Sequence, residues 1–399
     1  MKRFLFLAAC VAFVFTMGGC EGVFPPEKPV SQKQLPAYRP YYQTAAGWQQ
    51  GPRLAPTPQG KLKAAILLPL SGKNADLGQA MLNAAQQAVF DASESNFELA
   101  PRDTAAPGGA QEAARAVIGD GARLIIGPLF AADVPAVKQV AQSNGLMMLP
   151  LSTDMSLAER GVYVMGLAPG AQVERVVSYA KAHGAHNYAA LVPATPYGNL
   201  VSAVFKKAVT QGGEQLIAVE TYDPSLGNLP DKIKSLAARK DRIGTLFIPE
   251  SGKNLKAIAD QLAAAGFNST DTRILGTGLW DVPDLGRQNP LLIGGWYAAP
   301  DTSLRRNFMS NYISAYEKEP PRLATLAYDA TALAAVLAKR GGSYDEAALT
   351  NPNGFAGLDG IFRLTPSGMV ERALAVNEVT ATGSDVVDSA PTTFVSFRR

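Results

Sequence analysis

Cysteine and histidine, the side chains most often used for covalent and metal chemistry, occur only twice each in this sequence. Cys10 and Cys20 fall within the first twenty residues, so the rest of the chain has no disulfide, no thiolate nucleophile and no cysteine-based metal site. His183 and His186 stand together in KAHGAHN, at the expected end of a helix, where an imidazole bonds to the last free carbonyls. A serine triad would need one of them as its base, and a metal would need a third ligand close by. Gly276, Gly278 and Asp281 in GTGLWD do not complete a G-x-G-x-x-G, and they come late in the chain instead of after a first strand. Gly72 and Gly78 are not followed by the Gly-Lys-Ser/Thr of a phosphate loop. The expectation is a non-enzymatic protein with no cofactor and no metal site.

What remains is a set of polar and aromatic residues that follow short apolar runs. Ala64–Leu70, Leu124–Leu129, Leu146–Leu151, Ala189–Pro193, Thr245–Pro249 and Leu291–Ala299 read as strands covered on both faces, and Phe97–Pro101, Leu216–Thr221 and Arg273–Leu275 as further strands. Between them Leu77, Met81, Ala84, Ala85 and Ala88 share one helical face, as do Val173, Val176, Val177 and Ala180, and Leu255, Ile258, Ala259 and Leu262. Strand and helix in alternation predict right-handed βαβ units and doubly wound parallel sheets. Open parallel sheets bind ligands beyond the carboxyl ends of their strands. The candidates there are Ser71, Asn74, Asp103, Phe130, Ser152 and Thr153 in the first half, and Tyr197, Tyr222, Glu250, Trp280 and Asp281 in the second. Arg305, Arg306, Lys318 and Arg322 flank a later helix and read as a solvated face. Gly360–Thr365 and Val370–Val379, joined by Pro366, Ser367 and Gly368, read as a hairpin.

The 399 residues are 47% hydrophobic and 18% charged, the composition of an ordinary folded core. The 37 basic and 34 acidic side chains leave a net charge of +3, too small for a nucleic-acid footprint. About 340 residues of body exceed one comfortable core, so two lobes are expected.

The N-terminus is different in kind. Lys2 and Arg3 precede an apolar run from Phe4 to Met17 that would span only ~21 Å as a helix, short of the ~30 Å hydrocarbon core, so it reads as an export signal. Met17, Gly18, Gly19 and Cys20 resemble the lipobox of bacterial lipoproteins, which implies cleavage before Cys20 and attachment of acyl chains such as palmitate. Glu21 in place of aspartate implies the outer membrane over the inner. Pro25, Pro26, Pro29, Pro36, Pro40, Pro52, Pro56 and Pro58 mark residues 20–60 as a tether, long enough to hold the body on the order of 35 Å from lipid. Its aromatic residues Phe24, Tyr38, Tyr41, Tyr42 and Trp48 suggest that part of it packs on the body.

AAILLPLSGKNADLGQAMLNAAQQAVFDA, the aspartate of RDTAA, ARLIIGPL, LMMLPLSTD, GVYVMGLAP, the YG of PATPYGNL and TLFIPE are similar in order and spacing to type I periplasmic solute-binding proteins of the leucine-binding kind. Within that superfamily PLSGKNADLGQAMLNAA, GPLF and LPLSTD most resemble the penicillin-binding protein activators, lipoproteins of the LppC type that help cell-wall synthases. The resemblance implies two sheet lobes with a hinge, built from residues 61–168 plus about 301–355 and from 169–300 plus about 356–399, behind a signal peptide over 1–19. In leucine-binding relatives the loop after the third strand offers hydroxyls to the ligand carboxylate. Here it reads Phe130, Ala131, Ala132, and a buried carboxylate would be underpaired at about 1–3 kcal/mol per missing donor. The expectation is an envelope lipoprotein that regulates a bifunctional penicillin-binding protein, with a small-molecule ligand in the cleft as an open possibility. The alternative is the substrate-binding lipoprotein of an ABC importer for branched-chain amino acids or amides.

Overall fold

In a computed structural model of the chain, the described residues are 61–93, 96–301, 303–339 and 342–394. The expected export signal, Cys20 and the expected tether lie outside them.

The first lobe begins with β1 (Leu62–Leu68), β2 (Phe97–Asp103), β3 (Leu124–Ile126) and β4 (Met147–Leu149), alternating with α1 (Ala75–Ala92), α2 (Gly109–Gly119) and α3 (Val134–Ser143). The sheet order is β2-β1-β3-β4, all parallel, and Val162 extends it by a parallel bridge to Met148. Ala64 to Leu68 are fully buried, as a strand with helices on both faces requires. The chain then crosses to the second lobe and lays down α4 (Pro169–Ala182), β5 (Tyr188–Pro193), α5 (Pro196–Gln211), β6 (Leu216–Tyr222), α6 (Leu229–Ala237), β7 (Thr245–Phe247), α7 (Gly252–Ala264), β8 (Arg273–Gly276), α8 (Leu285–Gln288) and β9 (Trp296–Ala299). It returns through α9 (Ser303–Tyr316), α10 (Ala324–Lys339) and α11 (Glu346–Leu349) to a small antiparallel sheet of β10 (Phe355–Gly357), β11 (Gly360–Leu364) and β12 (Val370–Arg372). It ends with β13 (Ala375–Thr380) and β14 (Gly383–Asp388), which complete a seven-stranded sheet ordered β14-β13-β9-β8-β7-β5-β6. The architecture is α/β, with two doubly wound, mainly parallel sheets joined by three crossings.

Each lobe opens with the same tight strand-to-helix turn. A Cβ on Gly78 at the start of α1 would collide with the carbonyl oxygen of Pro69, and one on Gly198 at the start of α5 with that of Pro193. Glycine at both positions lets the helix begin directly against the strand end. α5 is further fixed by Thr195, whose hydroxyl accepts from the Gly198 amide at 3.0 Å, and by Pro196 in its first turn. α10 is buried all round from Ala324 to Ala338, and its many alanines allow close approach to α1.

Two expected strands are broken. In Leu291–Ala299 only Trp296–Ala299 pairs with β8, because Pro290–Leu292 forms a 3₁₀ turn and Gly294 takes a positive φ of 83°. The run Val370–Val379 divides at Ala373 and Leu374. Its first half pairs with β11 in the small sheet, and its second half pairs antiparallel with β9 in the large one. Phe355, Phe362, Leu364 and Val370 pack into the first lobe's core with Ile66, Leu326 and Leu333. The third crossing therefore lies at Ala373–Leu374.

Candidate functional site

The strand bridging at Val162 leads from its carboxyl end into α4, and β9 leads from its carboxyl end into α9. Both crossings leave parallel sheets at the edge where polar residues follow apolar strands, so the two carboxyl edges lie on the side of the hinge.

In the second lobe the candidates come together. Tyr222 ends β6, Glu250 follows β7 and Trp280 follows β8. The fully buried Tyr222 phenol donates to Glu250 Oε2, the Ser251 amide donates to Oε1 at 2.9 Å, and Trp280 Nε1 donates to the Glu250 carbonyl oxygen at 3.2 Å. Burial, with the Glu250 carboxylate beside it, pushes the Tyr222 phenol far above its ordinary range. Tyr197 shares a 2.8 Å hydrogen bond with the buried Thr277 hydroxyl, and burial pushes its phenol up to about 12. Gln172, in the first turns of α4, accepts from the Gly278 amide at 2.8 Å and so fixes the loop that carries Trp280. The group is rigid, and its one carboxylate is already bonded to protein donors. Tyr222→Phe is expected to cost about 1.5–3 kcal/mol, because Glu250 loses the phenol donor; urea unfolding midpoints measure it.

The first-lobe candidates are held differently. Asp103 accepts from the Leu70 and Ala105 amides, both at 2.8 Å, so it staples the turn after β1 to the end of β2. Burial works against its charge, yet the Ser71 hydroxyl and these amides hold its carboxyl below the usual range. Ser152 is buried and accepts from the Asp154 amide at 3.0 Å, whereas Thr153 and Ser71 are exposed and Asn74 is half-buried. Phe130 is 37% exposed at the end of the β3 loop, ahead of the turn Ala131–Asp133. No side-chain hydroxyl stands at 130–132 to meet a carboxylate.

Asp281 is engaged elsewhere. Its carboxylate lies 3.5 Å from Arg305 on α9, and the same guanidinium lies 3.4 Å from Asp359 in the β10–β11 turn. Asp359 also accepts from Arg322 at 2.9 Å and from the Thr325 hydroxyl at 2.7 Å. Arg305 and Arg322 thus turn inward, against the expected solvated face, while Arg306 and Lys318 are exposed as expected. The inward turn has a physical cause: Asp359 is completely buried, and an uncompensated carboxylate there would be prohibitive. A second buried pair joins Arg372 to Asp329 at 2.9 Å, with the Leu358 amide on the other Asp329 oxygen at 2.7 Å. The histidines are exposed: His183 lies just past the end of α4, its Nδ1 2.8 Å from the Tyr179 carbonyl and its ring against Tyr179 and Trp296, and the His186 Nδ1 is 3.1 Å from the Gly184 carbonyl.

Comparison with known proteins places this geometry. The chain is 26% identical over 249 residues to the Leu/Ile/Val-binding protein BraC3 of Rhizobium johnstonii, covering 56% of this chain and 66% of that one. It spans 57% and 66% of the lengths of the curated relatives it matches. Among solved structures, a branched-chain amino acid ABC transporter periplasmic ligand-binding protein from Burkholderia xenovorans aligns with a TM-score of 0.66 at 16% identity, over 85% of this chain and 97% of its own. The C-domain of LpoA from Haemophilus influenzae, a regulator of PBP1A, aligns with a TM-score of 0.65 at 19% identity, over 82% and 99%. These likenesses are likenesses of fold. The sequence pattern of the periplasmic binding proteins runs through residues 61–384, nearly the whole body, and the chain belongs to that family.

Proposed function

We propose that this is a non-enzymatic lipoprotein of the bacterial envelope whose two-lobed body regulates a bifunctional penicillin-binding protein. The observation that carries this reading is the state of the cleft edges: the loop Phe130–Ala132 has no hydroxyl for a ligand carboxylate, and Glu250, the carboxylate placed for an ammonium, already holds Tyr222 and Ser251. An amino-acid clamp is short of donors on one side, where of the first-lobe candidates Ser71 and Thr153 keep exposed hydroxyls, and is self-paired on the other. The likeness to the LpoA C-domain supports the choice of partner. Acyl chains on Cys20 would anchor the protein at the periplasmic face, in the outer membrane by preference, and the 20–60 tether would carry the body toward the wall. In this reading the lobes bias a partner only by as much as it binds one hinge arrangement better than the other.

The reading is tested in two ways. Calorimetry with leucine, isoleucine and valine is expected to give dissociation constants above ~100 μM, or less than about 5.5 kcal/mol of binding. Crosslinking in cells of the tethered protein is expected to recover a bifunctional peptidoglycan synthase. Submicromolar binding of any of the three amino acids, together with recovery of ABC permease subunits and no wall enzyme, would replace this reading with that of an importer's receptor; the BraC3 relative is named as a Leu/Ile/Val-binding protein.

A further inference from the structure

After its third crossing the chain passes between the lobes once more. β14 ends at Asp388, which stands opposite Val376 in the large sheet and holds Arg175 of α4 at 2.6 Å, so this residue belongs to the second lobe. Six residues later Phe394, 4% exposed, is buried against the small sheet, whose apolar side chains pack into the core of the first lobe. Two residues make its seat. Gly354 takes a positive φ of 70°, and a Cβ there would come within 2.7 Å of the Phe394 ring, so glycine leaves the room that the ring fills. Arg363 covers the ring, its guanidinium carbon 4.7 Å from the centroid, and Glu371 holds the Arg363 Nε at 2.6 Å. Between the two anchors Ser389, Thr392 and Thr393 are exposed, and Ala390 and Pro391 are half-buried.

We infer that residues 389–394 are a strap across the hinge, plugged into the first lobe by Phe394, and that the strap limits how the lobes turn. It runs beside the joint at Ala373–Leu374. Val376, opposite the strap's first anchor, lies just past that joint, and Arg363, over its second, is on β11, which pairs with β12 just before it. A joint of one strand bends and also swivels about its own bonds. A second tie alongside leaves the bend and opposes the swivel, so the lobes keep one axis of rotation while the plug is seated. Six residues reach at most about 20 Å, which also caps the separation of the two anchors. Phe394 is the one fully buried side chain of the segment, and none of residues 389–393 lies in a helix or strand. The restraint therefore rests on a single aromatic contact, and a segment so lightly held opens at far lower cost than either lobe.

The strap is testable on the full chain in detergent. Click-reactive amino acids in place of Gln86 on α1 and Lys207 on α5, both exposed, take a donor and an acceptor dye, one in each lobe, and leave Cys20 untouched. Single-molecule energy transfer with the strap unaltered is expected to give one narrow peak, and Phe394→Ala is expected to broaden it because the plug no longer seats. A second variant keeps the plug: about eight Gly/Ser residues between the exposed Thr392 and Thr393 add roughly 15 Å of slack. This variant is expected to broaden the peak as the alanine does, with unchanged far-UV circular dichroism, since Phe394 still fills its seat. A peak that stays narrow with the lengthened strap, whatever Phe394→Ala does, would mean that Phe394 serves packing alone and overturns the inference, as does a broad peak in the unaltered protein. If Phe394→Ala does not fold, the lengthened strap decides the matter alone.

Discussion

Replacing Arg372 by alanine is expected to destabilise the folded body by about 3–5 kcal/mol, the usual result of removing one partner from a buried ion pair. Asp329 would be left completely buried beside Asp359, with only the Leu358 amide bonded to it. The pH dependence gives this prediction its signature. Burial already raises the Asp329 carboxyl from 3.8 to about 6 in the intact protein, with Arg372 pulling it down and Asp359 pushing it up. A folded-state value above the unfolded one means that the fold binds this proton more tightly, so protonation of Asp329 favours the fold as pH falls through about 6. In the alanine variant the downward pull is gone and the value climbs further. The deficit should therefore be largest near pH 8 and shrink toward pH 5, where the orphaned carboxyl is neutral. Denaturant midpoints at the two pH values measure it, and a deficit that stays constant or grows on acidification would show that Asp329 is not the group left unpaired.

Trp280→Ala is expected to cost a comparable 3–5 kcal/mol, for a different reason. The indole is 1% exposed, and its ring lies against the bare backbone of Gly276 and Gly295. A Cβ on Gly276 would run into the ring, so the two glycines make the slot that the tryptophan fills. Truncation empties the slot and also strands the Glu250 carbonyl that accepts from Nε1. Gly276→Ala should destabilise through the opposite fault, too much volume in the same place. If either substitution cost less than about 1 kcal/mol, Trp280 would not be the anchor of the second-lobe cluster.

The sheets were legible in the sequence because parallel strands covered on both faces must be apolar throughout, and the helical faces on α1, α4 and α7 kept their period. What sequence could not show was which sheet a strand serves. No glycine or proline marks a break within Val370 to Val379, and the division depends on β11 and β9, which are far apart in the chain. The charged network was hidden for a related reason. Arginines are outside by default, and Arg305 and Arg322 turn inward only because Asp281 and Asp359 meet them from distant segments. One signal was available and went unused: Asp329 is the lone carboxylate in the otherwise apolar ATLAYDATALAAVLAK, and an isolated charge there must find a buried partner. Gln172 carried no signal at all, since nothing in its neighbourhood distinguishes a brace to Gly278 from a surface glutamine. The polar residues after Leu216–Thr221, Thr245–Pro249 and Arg273–Leu275 could be picked out because strand ends in such sheets are addresses, but their hydrogen-bond partners could not.

The division of the run Val370–Val379 also governs the order in which the molecule can be completed. The first core takes Leu62 to Met165 from one stretch of chain and Leu326 to Val370 from another, and the large sheet lacks an interior strand until Ala375–Thr380 is in place. A polypeptide made from its N-terminus onward therefore holds two unfinished hydrophobic surfaces until residues 370–380 emerge, and then both can close at once. Contacts this distant in sequence close slowly, and the exposed surfaces invite association in the interval. For this protein the interval before folding is set by where its last strands fall in the gene, and the late-arriving hairpin makes a stop codon shortly before it as damaging as one near the middle.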